Sequence, residues 1–587
     1  MRRGIAVSPG VAVGTAYCLH QIFVNPNTKR LEDRELTAEL ARYENACELT
    51  RRDLEALRVK VEKQVGASEA AIFGVHQSIL QDSTFRTKIR GWIVNDRLNA
   101  AAALQRLLNE YTALFARTDD QYLKERLTDV RDVVVRISVH LSDVLVNQAP
   151  EMHGPLIVVT DELLPSQAVA LGNVDVHGIV TETGSQTSHA AIIARSRGIP
   201  AVSGVRGILR QVQNGDMVVV DGRDGHVLIN PDSESLAAYR KLEREFFLLK
   251  DQLAANRERP AVLSDGTEIS LLANINNVAD AQAAQAMGAS GVGLYRTEYL
   301  YLTHSSVPDE EEQLSVYREI VDASPGHNVT IRTLDIGGDK TVPYLGHGHV
   351  EANPFMGWRS IRLSFEHPEF FGTQVRAILR AGHHAKKLGG QVRMMFPMIT
   401  TVEELKKVRT MVAKACRDLD RRRKDYADIP IGMMLEVPAA AVTIDSMLDL
   451  VDFVSIGSND LVQYLMAADR DNPKVSHLCQ PLSAPVLRVL RGVINACNHA
   501  QVPVTLCGEM AGQPRAFLLL VGMGLRSFSM SPAFVPSIKD LASHVSESTA
   551  AFVLERALRL TTTTQIKRFM SGQLARVAPN LSMMESK

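Results

Sequence analysis

The chain has 587 residues, 45% of them hydrophobic and 22% charged, with 65 basic against 66 acidic side chains and a net charge of −1. This length exceeds what one hydrophobic core serves and predicts about two to four domains, while the balanced charge offers no basic stripe for nucleic acid or an anionic membrane. The six cysteines form no C-x-x-C pair, the first ten residues lack the apolar core of a signal peptide, and no apolar run is long enough to span a membrane; a cytoplasmic, soluble protein is expected.

Residues 4–20 alternate like a strand pair around Ser8-Pro9-Gly10, with Val11, Val13 and Ala16 on the apolar beats. From Leu31 the period changes. Leu36, Leu40, Tyr43, Cys47, Thr50, Leu54, Leu57 and Val61 step by four and three in turn, an a/d seam with one polar beat at Thr50. Further helical patterns cover residues 70–80, 98–115 and 120–145, so residues 31–147 read as an all-helical insertion. Helix-on-helix packing explains most of the seam, and a partner-binding face is the second reading.

Strand-type sequence resumes at residues 155–160 and continues through 177–180 to 218–222. Residues 1–30 and 148–230 therefore read as one α/β domain that the helices interrupt. Inside it stands Thr183-Gly184-Ser185-Gln186-Thr187-Ser188-His189, followed by Ala190-Ala191-Ile192-Ile193-Ala194-Arg195. The pattern places His189 at the start of a short helix, beside unpaired N–H groups and the positive end of the dipole, where phosphate binds well. That position also keeps imidazole neutral and nucleophilic, so His189 is a candidate phosphoryl carrier. A loop histidine that merely caps the helix fits the local pattern too.

A charged helical stretch within residues 231–260 reads as a linker. Beyond it, residues 261–575 alternate short apolar runs with amphipathic segments, before a tail at 576–587. The runs number eight: 269–273, 291–295, 329–331, 392–397, 431–435, 453–456, 502–506 and 527–530. Eight βα units predict a closed (β/α)8 barrel, with an open doubly wound sheet as the alternative.

A barrel keeps its chemistry at the C-terminal ends of its strands. There stand Arg296-Thr297-Glu298, Arg332, Asp335-Ile336-Gly337-Gly338-Asp339-Lys340, Glu436, Ser458-Asn459-Asp460 and Cys507-Gly508-Glu509, with Arg359, Arg362 and Arg470 in the connections. Arg296, Arg332, Arg359 and Arg470 offer planar forks for phosphate and carboxylate. Glu436 and Asp460 form the kind of oxygen-donor pair that Mg²⁺ takes. Salt bridges among these same groups are the plainer reading. Cys507 is either an inert core thiol or a general acid toward an enolate.

These motifs, in this order and spacing, resemble Enzyme I of the phosphoenolpyruvate-dependent sugar phosphotransferase system. The likeness runs from Gly4-Ile5-Ala6-Val7-Ser8-Pro9-Gly10 to about residue 575. It includes Gly293-Leu294-Tyr295-Arg296-Thr297-Glu298, Asn353-Pro354-Phe355-Met356-Gly357-Trp358-Arg359 and Ser455-Ile456-Gly457-Ser458-Asn459-Asp460-Leu461. The resemblance implies a multidomain α/β protein: a phosphohistidine swivelling domain with a helical insertion, then a (β/α)8 barrel. It implies that His189 accepts the phosphoryl group of phosphoenolpyruvate and passes it to a histidine of the carrier HPr, releasing pyruvate. Arg296, Arg332, Arg359, Asn459, Asp460 and Arg470 would hold phosphoenolpyruvate, Glu436 and Asp460 would hold Mg²⁺, and Cys507 would protonate the enolate. The insertion would dock HPr and the barrel would form a homodimer. Where the family usually has Gly-Gly-Arg before the histidine box, this chain has Gly184-Ser185-Gln186, which removes one basic contact and leaves the carrier of the nitrogen-regulatory branch as an alternative. A dikinase or synthase would need a nucleotide-binding domain for which the chain has no segment. A non-catalytic regulator would have no use for the rim constellation.

Overall fold

The computed structural model describes residues 2–8, 10–19, 30–64, 67–115, 121–141, 154–164, 167, 175–183, 194, 199–302, 307–337, 353–470, 472 and 474–582. The chain divides into two compact units, one running to Leu248 and the other beginning at Leu249.

In the first unit, five helices follow one another: α1 (Leu36–Gln64), α2 (Ala67–Gln81), α3 (Ser83–Val94), α4 (Ala100–Phe115) and α5 (Gln121–Leu141). The heptad beats of α1 fold inward, with Tyr43, Cys47 and Leu54 buried against Phe73 of α2, Ile89 of α3, Leu107 of α4 and Val134 of α5. The polar beat is satisfied within its own helix, since the Thr50 hydroxyl donates to the Ala46 carbonyl at 2.8 Å. Helix α3 lies outside the segments expected from periodicity. Its start is fixed by Asp82, whose side chain accepts from the Phe85 N–H at 2.8 Å.

The same unit holds a mixed sheet of β1 (Arg2–Arg3), β2 (Ile5–Ser8), β3 (Val11–Leu19), β4 (Leu156–Thr160), β5 (Val176–Thr181), β6 (Ala201–Ser203), β7 (Met217–Asp221) and β8 (His226–Ile229). Their order is β1-β8-β7-β3-β4-β5-β6-β2. The two N-terminal strands do not pair with each other: β2 joins β6, while β3 lies between β4 and β7. Because β3 and β4 are parallel neighbours, the chain between them must cross over, and α1–α5 lie on that crossover. Residues 184–193, with the histidine box and His189, lie outside the described residues, as do Asp339 and Lys340.

A single helix, Ser233–Ala255, spans the stretch read as a linker. After it come β9 (Ser270–Ile275), β10 (Gly291–Arg296), β11 (Asn328–Arg332), β12 (Gln391–Phe396), β13 (Ile431–Leu435), β14 (Phe453–Gly457), β15 (Val504–Cys507) and β16 (Ser527–Met530). All eight pair in parallel and β16 returns to β9, which closes the barrel and rules out the open sheet. Leu294, Met395, Met434, Phe453 and Cys507 form one buried cluster, contributed by five different strands. That layer is the floor on which the rim residues stand.

Candidate active site at the barrel rim

Parallel pairing brings the strand ends to one rim. Arg296 ends β10 opposite Arg332 at the end of β11, and Cys507 ends β15 opposite Gly457. Glu436 follows β13, and Asn459 and Asp460 open the helix Ser458–Met466 directly after β14. Together with Arg359 and Arg470 these residues line a single cavity of about 290 Å³. The barrel residues expected to hold phosphoenolpyruvate and Mg²⁺, and Cys507, are therefore in one place. Arg362 is not among them; its guanidinium donates to the Met356 and Gly357 carbonyls at 3.0 Å and braces the loop before it.

Inside the cavity the charges are interleaved. Arg332 Nη2 donates to Glu298 Oε1 at 3.0 Å and Nη1 lies 3.0 Å from Asp335 Oδ2. Arg359 Nη2 donates to Asp335 Oδ1 at 2.8 Å and to Asp460 Oδ2 at 3.3 Å, while Arg470 Nη1 donates to Asp460 Oδ1 at 2.7 Å. The Ser360 hydroxyl also donates to Asp335. Burial alone would raise the Asp335 carboxyl, yet Arg332 and Arg359 hold it well below the carboxylate range. For Arg332 the opposing effects run the other way: burial disfavours its charge, and Glu298 and Asp335 more than restore it. Among the described residues Arg296 has no carboxylate within ion-pair distance. Burial and the charge of Arg332 both lower its basicity, and its Nη1 donates to Asn276 Oδ1 at 3.4 Å.

The salt bridges are real, but they leave groups unsatisfied. Among the described residues, Arg332 Nε, Arg359 Nε and Glu298 Oε2 are buried without a hydrogen-bond partner. Leaving such a group unpaired costs about 1–3 kcal/mol. Two lone guanidinium N–H groups on cavity-lining arginines are donors that a bound anion can satisfy.

Glu436 shows why a cation suits the cavity. Its Oε1 accepts from the Met398 N–H at 2.7 Å, and a Cβ on Gly457 would stand 2.7 Å from Oε2, so only glycine leaves room for the carboxylate. Met398 holds φ +57°, a strained conformation for a non-glycine residue two positions beyond β12. Burial, then Asp460 and Asp335, push the Glu436 carboxyl up to about 8. Carboxylates that repel one another at a buried rim are relieved by a divalent ion. Mg²⁺ characteristically takes one or two protein carboxylates and completes its shell with water and substrate oxygens. Among the described residues no group of three His, Cys, Asp or Glu side chains is placed to hold a metal ion, so Glu436 and Asp460 are the two carboxylates the rim offers. The residues fit the ion.

Cys507 is buried in the floor layer. Its sulfur accepts from the Ser455 hydroxyl at 3.0 Å and lies 3.5 Å from the Ile456 carbonyl. Burial pushes the thiol up to about 11, so it keeps its proton at neutral pH. Beyond it, Gly508 turns at φ +140°, and a Cβ there would meet Ser458 Oγ at 2.2 Å and Asn459 Oδ1 at 3.1 Å. The turn packs flat against the start of the helix that carries Asn459 and Asp460.

Some contributors were not assigned a role from sequence. Glu298 and Asp335 sit inside the recognised motifs, but their work of holding Arg332 appears only when β10 and β11 are adjacent. Asn276 stands just past β9, where the strand-end rule would have found it. Tyr464 carried no signal; its hydroxyl donates to the Phe355 carbonyl at 2.6 Å and accepts from Arg359 Nη1 at 3.2 Å.

The chain, with this anion-and-cation rim on a closed parallel barrel that follows a separate mixed-sheet unit in sequence, matches three family models of phosphoenolpyruvate-utilising enzymes. These are the N-terminal domain over residues 3–126, the mobile domain over 152–225 and the phosphoenolpyruvate-binding domain over 250–547. The protein is a phosphoenolpyruvate-utilising enzyme. The phosphoenolpyruvate-protein phosphotransferase of Staphylococcus carnosus (strain TM300) is 39% identical over 566 residues, covering 96% of this chain and 97% of that one. The proteins of the same name from Geobacillus stearothermophilus (39% over 568 residues; 97% of both chains) and Bacillus subtilis strain 168 (37% over 569 residues; 97% and 98%) are similar throughout. The chain belongs to the phosphoenolpyruvate-protein phosphotransferase family.

Proposed function

We propose that the protein takes the phosphoryl group of phosphoenolpyruvate onto His189 and delivers it to a histidine of an HPr-type carrier, as the first step of a sugar phosphotransferase system. The observation that carries this reading is the convergence of Arg296, Arg332, Arg359, Asn459, Asp460 and Arg470 on one cavity in which, among the described residues, the buried Nε–H groups of Arg332 and Arg359 lack hydrogen-bond partners. In this reading these residues orient the phosphate and carboxylate of phosphoenolpyruvate, and the four arginines neutralise charge spread over the transferring oxygens. Glu436 and Asp460 hold Mg²⁺, which supplies further charge neutralisation when bound. The arginine forks and the Asn459 amide fix the substrate so that its phosphorus faces the incoming imidazole, and Glu436 and Asp460 would act on it only through the ion they would hold. Cys507, at the cavity floor and protonated at neutral pH, gives its proton to the enolate carbon and yields pyruvate.

The helical segment α1–α5 docks the carrier, and the barrel pairs with a second copy. A cytoplasmic setting accords with six free thiols and, among the described residues, no helix long and apolar enough to cross a membrane.

The test is incubation with ³²P-labelled phosphoenolpyruvate and Mg²⁺. Label is expected on the unmutated protein and not on His189→Ala, which should still bind phosphoenolpyruvate in an equilibrium titration. Transfer to HPr, rather than to the carrier of the nitrogen-regulatory branch, is expected in a second step. Labelling of His189→Ala at the unmutated level would refute the assignment, and sedimentation of the full chain as a monomer would remove the dimer.

A further inference from the structure

A hydroxyl reaches the apolar cluster at the floor of the cavity. Phe453, Ser455 and Gly457 alternate along the inward face of β14, with Phe453 in the buried cluster that includes Leu294, Met395, Met434 and Cys507. Ser455 is 1% exposed, so its hydroxyl cannot rely on water. Burying a hydroxyl in such a layer is costly unless it is hydrogen-bonded. Its partner is Cys507 Sγ at 3.0 Å, with the hydroxyl as donor. The thiol in turn lies 3.5 Å from the Ile456 carbonyl, an acceptor for its own hydrogen. The sulfur thus has a donor on one side and an acceptor on the other, held by two consecutive residues of the neighbouring strand.

We propose that Ser455 is a positioning residue for proton delivery: its hydroxyl fixes the Cys507 sulfur at the cavity floor and supplies the hydrogen bond that the sulfur needs once its proton has left. This rests on the reading of Cys507 as proton donor. In the step concerned, the S–H bond of Cys507 breaks and its proton forms a C–H bond with the methylene carbon of the enolate. The electron pair comes from the enolate double bond, whose oxygen becomes the ketone carbonyl of pyruvate. The S–H pair stays on sulfur as a thiolate, which regains a proton from water after pyruvate leaves. Nothing is oxidised or reduced. Formation of the thiolate in a dry layer is the difficult part. The Ile456 carbonyl repels the charge, and Ser455 is the neutral donor already aimed at it. An alanine in the same place would pack as well and do nothing for the sulfur.

The experiment is a rapid-quench time course on the full-length protein with phosphoenolpyruvate and Mg²⁺, following phosphoenzyme and pyruvate in the same samples. The variants are Ser455→Ala, the equal-volume pair Ser455→Thr and Ser455→Val, and Cys507→Ala. The hydroxyl-free Ala and Val variants should form phosphoenzyme within about threefold of the normal rate while pyruvate lags about tenfold behind it, the size expected for one lost hydrogen bond to a charged group. Thr should restore the coupling that Val loses, a difference that packing alone cannot produce. If Cys507→Ala delays pyruvate but Ala and Val at 455 do not, the role of Ser455 falls and that of Cys507 stands. If Cys507→Ala causes no delay, both fall. Equal loss of phosphoenzyme and pyruvate in Val and Thr would mark Ser455 as a packing residue and overturn the proposal.

Discussion

At neutral pH and without a divalent cation, the Glu436 carboxyl keeps its proton, because burial, Asp460 and Asp335 push it up to about 8. Metal coordination needs the carboxylate, so binding must expel that proton. A group titrating near 8 is roughly nine-tenths protonated at pH 7, and Mg²⁺ binding there should release close to one proton. Affinity should climb with pH and level off above 8. The sign for stability follows from linkage. An unfolded glutamate titrates near 4.3, so between that value and 8 the native state binds more protons, and metal-free stability falls as pH rises through the window. Calorimetry in two buffers of different ionisation enthalpy reads the proton count directly, and Glu436→Gln should abolish it. A buffer-independent heat in the unmutated protein would show that Glu436 does not hold a proton that the metal displaces. At this scale the sequence was most informative about which residues reach the cavity, because that follows from a place at a strand end, as for Arg296 or Cys507. It was silent where the role depends on a partner from another strand. Glu298 could not be read as the anchor of Arg332, nor Ser455 as the partner of a thiol, before β10 met β11 and β14 met β15.

The elements of the barrel were legible because each strand is a short apolar run between amphipathic helices, and the observed strands begin and end within about two residues of the runs. The shorter pieces of the first unit were not. β6 has three residues and β8 four, too few for alternation to register. β2 and β3 were visible as strands, but a period of two says nothing about which neighbour each one takes. Turns carry information of a different kind, as Gly508 illustrates. Its positive φ and the 2.2 Å approach of a virtual Cβ to Ser458 Oγ bind the turn after β15 to the helix after β14. Gly508→Ala should therefore cost about 1–3 kcal/mol in backbone strain and push Ser458 and Asn459 away from the cavity. The expected result is at least tenfold weaker phosphoenolpyruvate binding, with a lower melting temperature for the barrel. An alanine variant that bound phosphoenolpyruvate normally would show that the turn does not set the position of Asn459.

For the whole molecule, the decisive property is that the chain divides near Leu248 into two compact units. The candidate substrate cavity lies wholly in the second, with every lining residue between Asn276 and Gly508, whereas His189 belongs to the first by sequence. A ligand that binds only the native form of one unit stabilises that unit by mass action, by about 2.7 kcal/mol at a concentration one hundred times its Kd. Phosphoenolpyruvate with Mg²⁺ should accordingly raise one calorimetric transition of the full chain by a few degrees and leave another in place. The transition that moves should be the one weakened by Gly508→Ala, and His189→Ala should not change the shift. If both transitions rose together by the same amount, the units would unfold as one cooperative body, and the barrel could not be treated as a binding module that the histidine unit visits. A shift confined to the barrel would instead mean that substrate capture and phosphoryl acceptance are carried by separately stable structures, joined through the helix Ser233–Ala255.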